Sequence, residues 1–375
     1  MLKIHWFLPT GGDSRDVVPR DPSQPGRQPT LSYLAQVAKA AEACGFDAVL
    51  TPCGTGCEDS WITTAALISQ TDSLRFLVAL RPGNISPTQA AQMASTFQRL
   101  SNGRVLINIV TGAEDQELAR FGDHLDKDAR YDRTGEFMKV LAGAWGSTPF
   151  DFAGDYYRVA AATTRTQPDP IPEIYFGGAS EAAERVAAES ADVYLAWGEP
   201  PNLVSTRLDS MRKRLADNGR SARFGIRFHC IARPTADQAW AEAAHLQAGM
   251  NPEAIAAAQR DFAATASEGQ RRMASLHEGM ETSSDPRALE IYPNLWAGIG
   301  LVRGGAGTAL VGSFSEVADR IEEYASLGFE EFILSGYPHL EEAWWVGEGV
   351  LPELRRRGVI AEAPGNPEST IFHFR

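Results

Sequence analysis

The chain has 375 residues, 43% of them hydrophobic, enough to bury a large core. Its formal net charge of −13 argues against a broad nucleic-acid or anionic-membrane surface, although a few arginines in a pocket can overrule that balance locally. No apolar run approaches the ~20 residues of a membrane helix, and four scattered cysteines, Cys44, Cys53, Cys57 and Cys230, are too few for a disulfide framework. The expectation is a reduced, cytoplasmic, soluble protein.

Apolar segments of strand length recur in order: KIHWFLP (3–9), DAVLTP (47–52), LRFLVALRP (74–82), RVLINIVTG (104–112), EIYFGG (173–178), DVYLAW (192–197), FGIRFHCIA (224–232) and EFILSG (331–336). Nearly continuous in Val, Ile, Leu and Phe, they read as parallel strands covered on both faces. Amphipathic helices lie between them. Leu31, Leu34, Val37, Ala41 and Cys44 fall at helical spacing before Gly45, and residues 86–103 open on Ser-Pro and close on Asn-Gly. Further helices are predicted over 180–190, 202–218, 314–327 and 340–357.

Eight alternations predict an α/β chain folded as a (β/α)8 TIM barrel, one domain over 1–360, with function at the strand C-termini. Residues 113–172 read as a loop, a helix and a hairpin around Gly154. Residues 235–312 are too long for an ordinary βα connection and read as a lid insertion, with GLVRGGAGTALVG (300–312) as a glycine-hinged loop. Residues 361–375 are a tail, with Ile371, Phe372 and Phe374 available to dock on a neighbour.

In a barrel, the loops after the strands share one mouth. They bring Gly11, Cys53 and Cys57, Arg81, Asn108 and Thr111, Gly177 and Gly178, Trp197 and Glu199, Arg227 and His229, and Tyr337 and His339, with Arg303 supplied by the insertion. The set is cationic and aromatic in an acidic chain. Arg227 and His229 are two apart on a strand and share a face. Either Arg227 caps a carboxylate and His229 is a core histidine, or the buried guanidinium awaits an anion. The YFGG turn leads to Ser180 at a helix start, which is a phosphate seat or an ordinary βα turn.

Several chemistries lack their motif. No P-loop ending or dinucleotide fingerprint appears, so the chain shows no nicotinamide site of its own. There is no HExxH, and the Cys53–Cys57 spacing has no second pair, so no metal is expected. No GxSxG elbow is present for serine hydrolysis.

The strings HWFLPT, CEDSW, FLVALRPG, RLSNGR, NIVTG, YFGG, YLAWGEPP, NLWAGIGLVRGGAGTALVG and LSGYPHLEEA, in order across residues 2–350, resemble the flavin-dependent alkanesulfonate monooxygenases of the bacterial luciferase superfamily. That resemblance implies a barrel binding reduced FMN (FMNH2) delivered by a separate NAD(P)H-dependent flavin reductase. With O2 as co-substrate, such an enzyme cleaves the carbon–sulfur bond of an organosulfonate to give sulfite and an aldehyde. Residue by residue, the family's active-site cysteine falls on Cys57, its tryptophan on Trp197, its arginine–histidine pair on Arg227 and His229, its lid arginine on Arg303 and its tyrosine on Tyr337. His339 joins the substrate contacts. Asn108, Thr111, Tyr131, Gly177, Gly178 and Ser180 fall to the flavin. A homodimer or homotetramer is also implied, with the apolar face of residues 86–100 as one candidate contact.

The chain departs from that family's pattern at the mouth. FLPTHGDGRYLG becomes FLPTGGDSRDVVPR, with Gly11 in place of a histidine, and IPTGRSCEDAW becomes TPCGTGCEDSW, losing an arginine and gaining Cys53. AYRVGE becomes AWWVGE. Arg15, Arg20, Trp344 and Trp345 add donors and a stacking face, so the expected substrate is an alkanesulfonate or a sugar sulfonate such as sulfoquinovose. On this reading Cys57 marks the flavin mouth and Cys53 a remodelled substrate turn. The alternatives are another luciferase-like flavin or deazaflavin oxidoreductase, or a flavin carrier without turnover.

Overall fold

All eight apolar segments are strands: β1 (Lys3–Phe7), β2 (Ala48–Thr51), β3 (Arg75–Leu80), β4 (Val105–Ile109), β5 (Ile174–Gly177), β6 (Val193–Trp197), β7 (Arg223–Arg233) and β8 (Glu331–Ser335). In the computed structural model, which describes residues 1–18, 26–112, 114–280 and 285–362, they pair in parallel in that order. β8 then closes onto β1, with Lys3 opposite Glu331. The predicted (β/α)8 barrel is therefore the fold.

Local chemistry sets the helix boundaries. Thr30, Ser86, Asp126 and Ser180 each accept a hydrogen bond from a first-turn amide of the helix they precede, each cap being worth about 1 kcal/mol. The helix Pro87–Ser101 stops where Asn102 turns left-handed at φ 56°, as its Asn-Gly ending signals. Its apolar residues Ala90, Ala91, Ala94 and Phe97 are buried in the chain's own core. That face is not the open contact surface expected for residues 86–100.

The barrel interior carries Phe7, Leu50, Leu77, Leu106, Tyr175, Val193 and Ile333. Beneath them the floor is polar. Glu331, fully buried, accepts from Tyr175 Oη at 2.6 Å and Arg223 Nε at 2.7 Å, and lies 3.0 Å from His5 Nε2.

β7 is eleven residues long. Up to Arg227 it pairs with β6, and from His229 to Arg233 it pairs on that same side with a further parallel strand, Ala309–Ser313. This corrects the reading of 300–312 as a hinged loop, because its second half is a buried extension of the barrel wall. The insertion is also mostly helical, with helices Ala236–Ala248, Pro252–Ala264 and Glu268–Ser275. The 113–172 segment forms the expected hairpin, Phe150–Ala153 with Arg158–Ala162, and two helices, Asp115–Arg120 and Lys127–Ala144.

Among the described residues no helix is long and apolar enough to cross a membrane. Arg20 and the tail positions Ile371, Phe372 and Phe374 lie outside the described residues.

Candidate active site

Two cavities open at the C-terminal ends of the strands and share Pro52 and Cys53 as a common wall. The first, about 290 Å³, has apolar walls from Leu50, Ala79, Ile109, Leu195 and Ile333. All six residues expected at the flavin border it: Asn108, Thr111, Tyr131, Gly177, Gly178 and Ser180. Ser180 caps the helix Glu181–Ser190 through a 3.3 Å bond from the Ala183 amide, so the positive end of that helix faces the cavity. The two glycines are there because nothing larger fits. A Cβ on Gly178 would lie 2.4 Å from Ala183 Cβ, and one on Gly177 2.8 Å from the Leu195 carbonyl oxygen. The result is a cradle of backbone, hydroxyl and phenol suited to a phosphate, beside an apolar slot suited to an aromatic ring system.

The insertion covers this cavity. Ser267, Glu268 and Gly269 line it, and Gly269 packs under the Trp197 ring. Arg272 donates through Nε to Glu199 Oε1 at 3.0 Å, and buried Glu199 also pairs with Arg207. Gln270 Oε1 accepts from the Gly305 amide at 2.8 Å, which joins the helix Glu268–Ser275 to the loop that carries Arg303.

The second cavity, about 510 Å³, is more polar and is bordered by Asp13, Glu117, Arg303, Tyr337, His339 and Cys57. Arg303 donates to Tyr337 Oη. Arg81 reaches Glu117 at 2.9 Å, and Glu117 also accepts from the Thr55 amide, which ties the 51–61 turn to β3. His229 borders neither cavity. Its Nδ1 lies 3.0 Å from Ser335 Oγ, and its ring stacks 5.5 Å from Tyr337, as a buttress behind that phenol.

Arg227 and Arg303 sit over one ring, their guanidinium carbons 4.4 Å and 5.8 Å from the centre of Phe7. Arg227 borders the first cavity and Arg303 the second. Among the described residues no carboxylate pairs with either, and Arg227 Nε has no partner. Burial and the charge of Arg303 push Arg227 down to about 9, so it remains cationic at neutral pH. The same two influences, with Arg227 added, hold His229 well below the usual histidine value. An anion entering between the cavities would relieve both arginines.

Cys53, rather than Cys57, is the thiol that borders both cavities. Burial raises both thiols, Cys53 to about 11, so neither is a thiolate at neutral pH. Arg15, Trp344 and Trp345 do not line the mouth as expected. Arg15 pairs with Glu341 on the surface, and Trp345 packs 4.9 Å from the Arg233 guanidinium. Asp13, Glu117 and Arg207 were not singled out from sequence: Asp13 and Glu117 matter through partners distant in the chain, and Arg207 through Glu199, eight residues earlier. Among the described residues no three His, Cys, Asp or Glu side chains are grouped to hold a metal ion.

The sequence model of the luciferase-like monooxygenase family matches residues 2–331. The chain belongs to that family. Solved structures agree at the level of fold. Riboflavin lyase RcaE, determined with a modified FMN and riboflavin, is 22% identical with a TM-score of 0.78, over 98% of this chain and 94% of that one. DmoA from Hyphomicrobium sulfonivorans is 21% identical at 0.78, over 97% and 89%. EDTA monooxygenase EmoA from Chelativorans sp. BNC1 is 18% identical at 0.76, over 97% and 96%. This chain thus has the fold of the luciferase-like monooxygenases, and its two cavities stand at the end of the barrel where such folds place their chemistry.

Proposed function

We propose that this protein is the oxygenase half of a two-component system. It takes reduced FMN from a separate NAD(P)H-dependent flavin reductase and, with O2, cleaves the carbon–sulfur bond of an organosulfonate to release sulfite and an aldehyde. The observation that carries this reading is the pair Arg227 and Arg303, two guanidinium groups over Phe7 that no carboxylate among the described residues pairs with. A sulfonate is a permanent anion and needs fixed positive charge, each charge-assisted hydrogen bond contributing roughly 1.5–3 kcal/mol. A flavin carrier has no use for such a pair.

The first cavity fits FMN: Ser180, Gly178 and Tyr131 would hold the phosphate, and the apolar walls the ring. When bound in its reduced form, FMN supplies the electrons that activate O2. The chain's own residues do the rest. Arg227 and Arg303 grip the sulfonate, Tyr337 donates a hydrogen bond to oxygen, His229 fixes the Tyr337 ring, and the helix Glu268–Ser275 excludes water. The polar border of the second cavity, with Asp13, Arg27, Gln28 and Glu117, supports a hydroxylated sulfonate such as sulfoquinovose over a plain alkanesulfonate.

The test is sulfite release across a panel of alkane and sugar sulfonates, with flavin reductase, NADH, FMN and O2. Sulfite with the sugar sulfonate and little with the alkanes is the expected result. Activity on alkanes alone would remove the sugar reading. Tight binding of oxidised FMN without any sulfite would favour the carrier.

A further inference from the structure

Asp13, after β1, and His339, after β8, meet in the wall of the second cavity. Asp13 is 4% exposed and accepts four hydrogen bonds. They come from Tyr33 Oη, the Ser14 amide at 2.9 Å, and the backbone N and ring Nδ1 of His339 at 2.8 Å each. Burial alone would raise its pKa, but the bonds from His339 and Tyr33 outweigh it and hold Asp13 below the usual value, as a carboxylate. A carboxylate only accepts, so the ring proton of His339 sits on Nδ1 and Nε2 is a bare lone pair. Nε2 is buried and has no partner among the described residues. His339 borders the same cavity as Arg303 and Tyr337, its ring 5.4 Å from the Tyr337 ring.

We propose that Asp13 is a positioning residue that locks His339 in the Nδ1–H tautomer, so that Nε2 accepts the proton shed when the substrate collapses to aldehyde. The proposal rests on the organosulfonate reading above. In that reaction one oxygen atom from O2 ends on the carbon that carried sulfur. The resulting hydroxy-sulfonate, R–CH(OH)–SO3−, breaks down when its hydroxyl proton passes to Nε2. The O–H electron pair becomes the second C–O bond, and the C–S pair leaves with sulfite. The products are R–CHO, SO3 with two negative charges, and an imidazolium next to Asp13, which stabilises it.

The charged and titratable groups facing the His339 ring are Asp13 from the β1 loop, Arg227 and His229 from β7, Arg303 from the insertion and Tyr337 beside it; Tyr33 acts only through Asp13. Burial opposes the protonated ring most, Asp13 favours it, and the two arginines oppose it, which leaves His339 below the usual histidine value. In Asp13→Asn the amide oxygen would stay with the Tyr33 hydroxyl and the His339 backbone N–H. The NH2 would then face Nδ1 and favour the opposite tautomer, as happens when an orienting carboxylate is amidated elsewhere.

The experiment is nitrogen-15 NMR of the full chain labelled at histidine, with His339 assigned through His339→Gln, beside sulfite kinetics for wild type and D13N. Wild type should show a protonated Nδ1 and a bare Nε2 at His339, inverted in D13N. The kcat of D13N should fall roughly 100-fold, with KM and FMN affinity within about twofold. Its acid limb should move to lower pH, because the carboxylate no longer favours the imidazolium. A wild-type Nε2–H tautomer overturns the proposal, and so does a D13N variant with wild-type kcat or a change confined to KM. If D13N does not fold, the wild-type tautomer alone decides the positioning role. Absence of sulfite from the wild type would instead overturn the function, and the proton-transfer role with it, whatever the tautomer.

Discussion

Arg227 holds a charge inside the barrel mouth with no counter-ion among the described residues, and such a charge costs stability. Its folded pKa, pushed down to about 9, lies below that of an exposed arginine, so the cost is present below pH 9 and fades as pH rises through it. Replacing it by a hydrophobe of similar length removes the cost. Arg227→Met should melt at the wild-type temperature or higher, by up to about 4 kcal/mol of stability, while sulfite formation drops by at least ~10-fold. A thermal melt beside the sulfite assay checks both. In the wild type, sulfonate affinity should weaken as pH passes 9, measured as Kd against pH. Gly178 makes a steric prediction. A methyl there would meet Ala183 Cβ at 2.4 Å, so Gly178→Ala should raise the Kd for FMN by at least ~10-fold, read by fluorescence quenching.

At the scale of elements, the strand Ala309–Ser313 anchors the insertion in the barrel wall, whereas the covering helix Glu268–Ser275 is held through polar contacts. Arg272 on Glu199 and Gln270 on the Gly305 amide connect the helix Glu268–Ser275 to β6 and to the Arg303 loop. Cutting the first should loosen the cover without unfolding the barrel. Arg272→Met is expected to release more hydrogen peroxide and less sulfite per NADH, with faster amide exchange over residues 252–275. Much of the element plan was legible, because parallel strands buried on both faces leave continuous apolar runs and Ser, Thr, Asn and Gly mark their connections. Ala309–Ser313 was not, because a leader with Gly304, Gly305 and Gly307 reads as loop and its β7 partner lies 80 residues earlier. That the six residues named for the flavin would border one cavity was legible through turn chemistry and resemblance together. Asp13 was not, since the bond that gives it meaning spans 326 positions.

Across the whole molecule, the barrel has a reactive end and a stabilising end. On the floor, Glu331 is held far below the usual carboxylate range: burial opposes this, but the bonds from His5 and Tyr175 and the charge of Lys3 prevail. The stability it contributes is full at neutral pH and lost as pH falls below the ordinary glutamate range. Glu331→Gln should cost about 3 kcal/mol at pH 7 and flatten the acid limb of stability, seen in denaturant midpoints followed from pH 7 to well below the ordinary glutamate range.

The mouth holds one more constraint. A Cβ on Gly11 would lie 2.7 Å from the Gly56 carbonyl oxygen, with Cys57 Cβ next beyond it. The histidine that the alkanesulfonate monooxygenase pattern carries at this position cannot return while the 54–57 turn keeps its course. The two sequence departures are thus one mutational unit: Gly11→His alone should be harmful, yet tolerable once the turn has been exchanged. Reversal therefore has an order: the turn must move away before the side chain at position 11 can be enlarged.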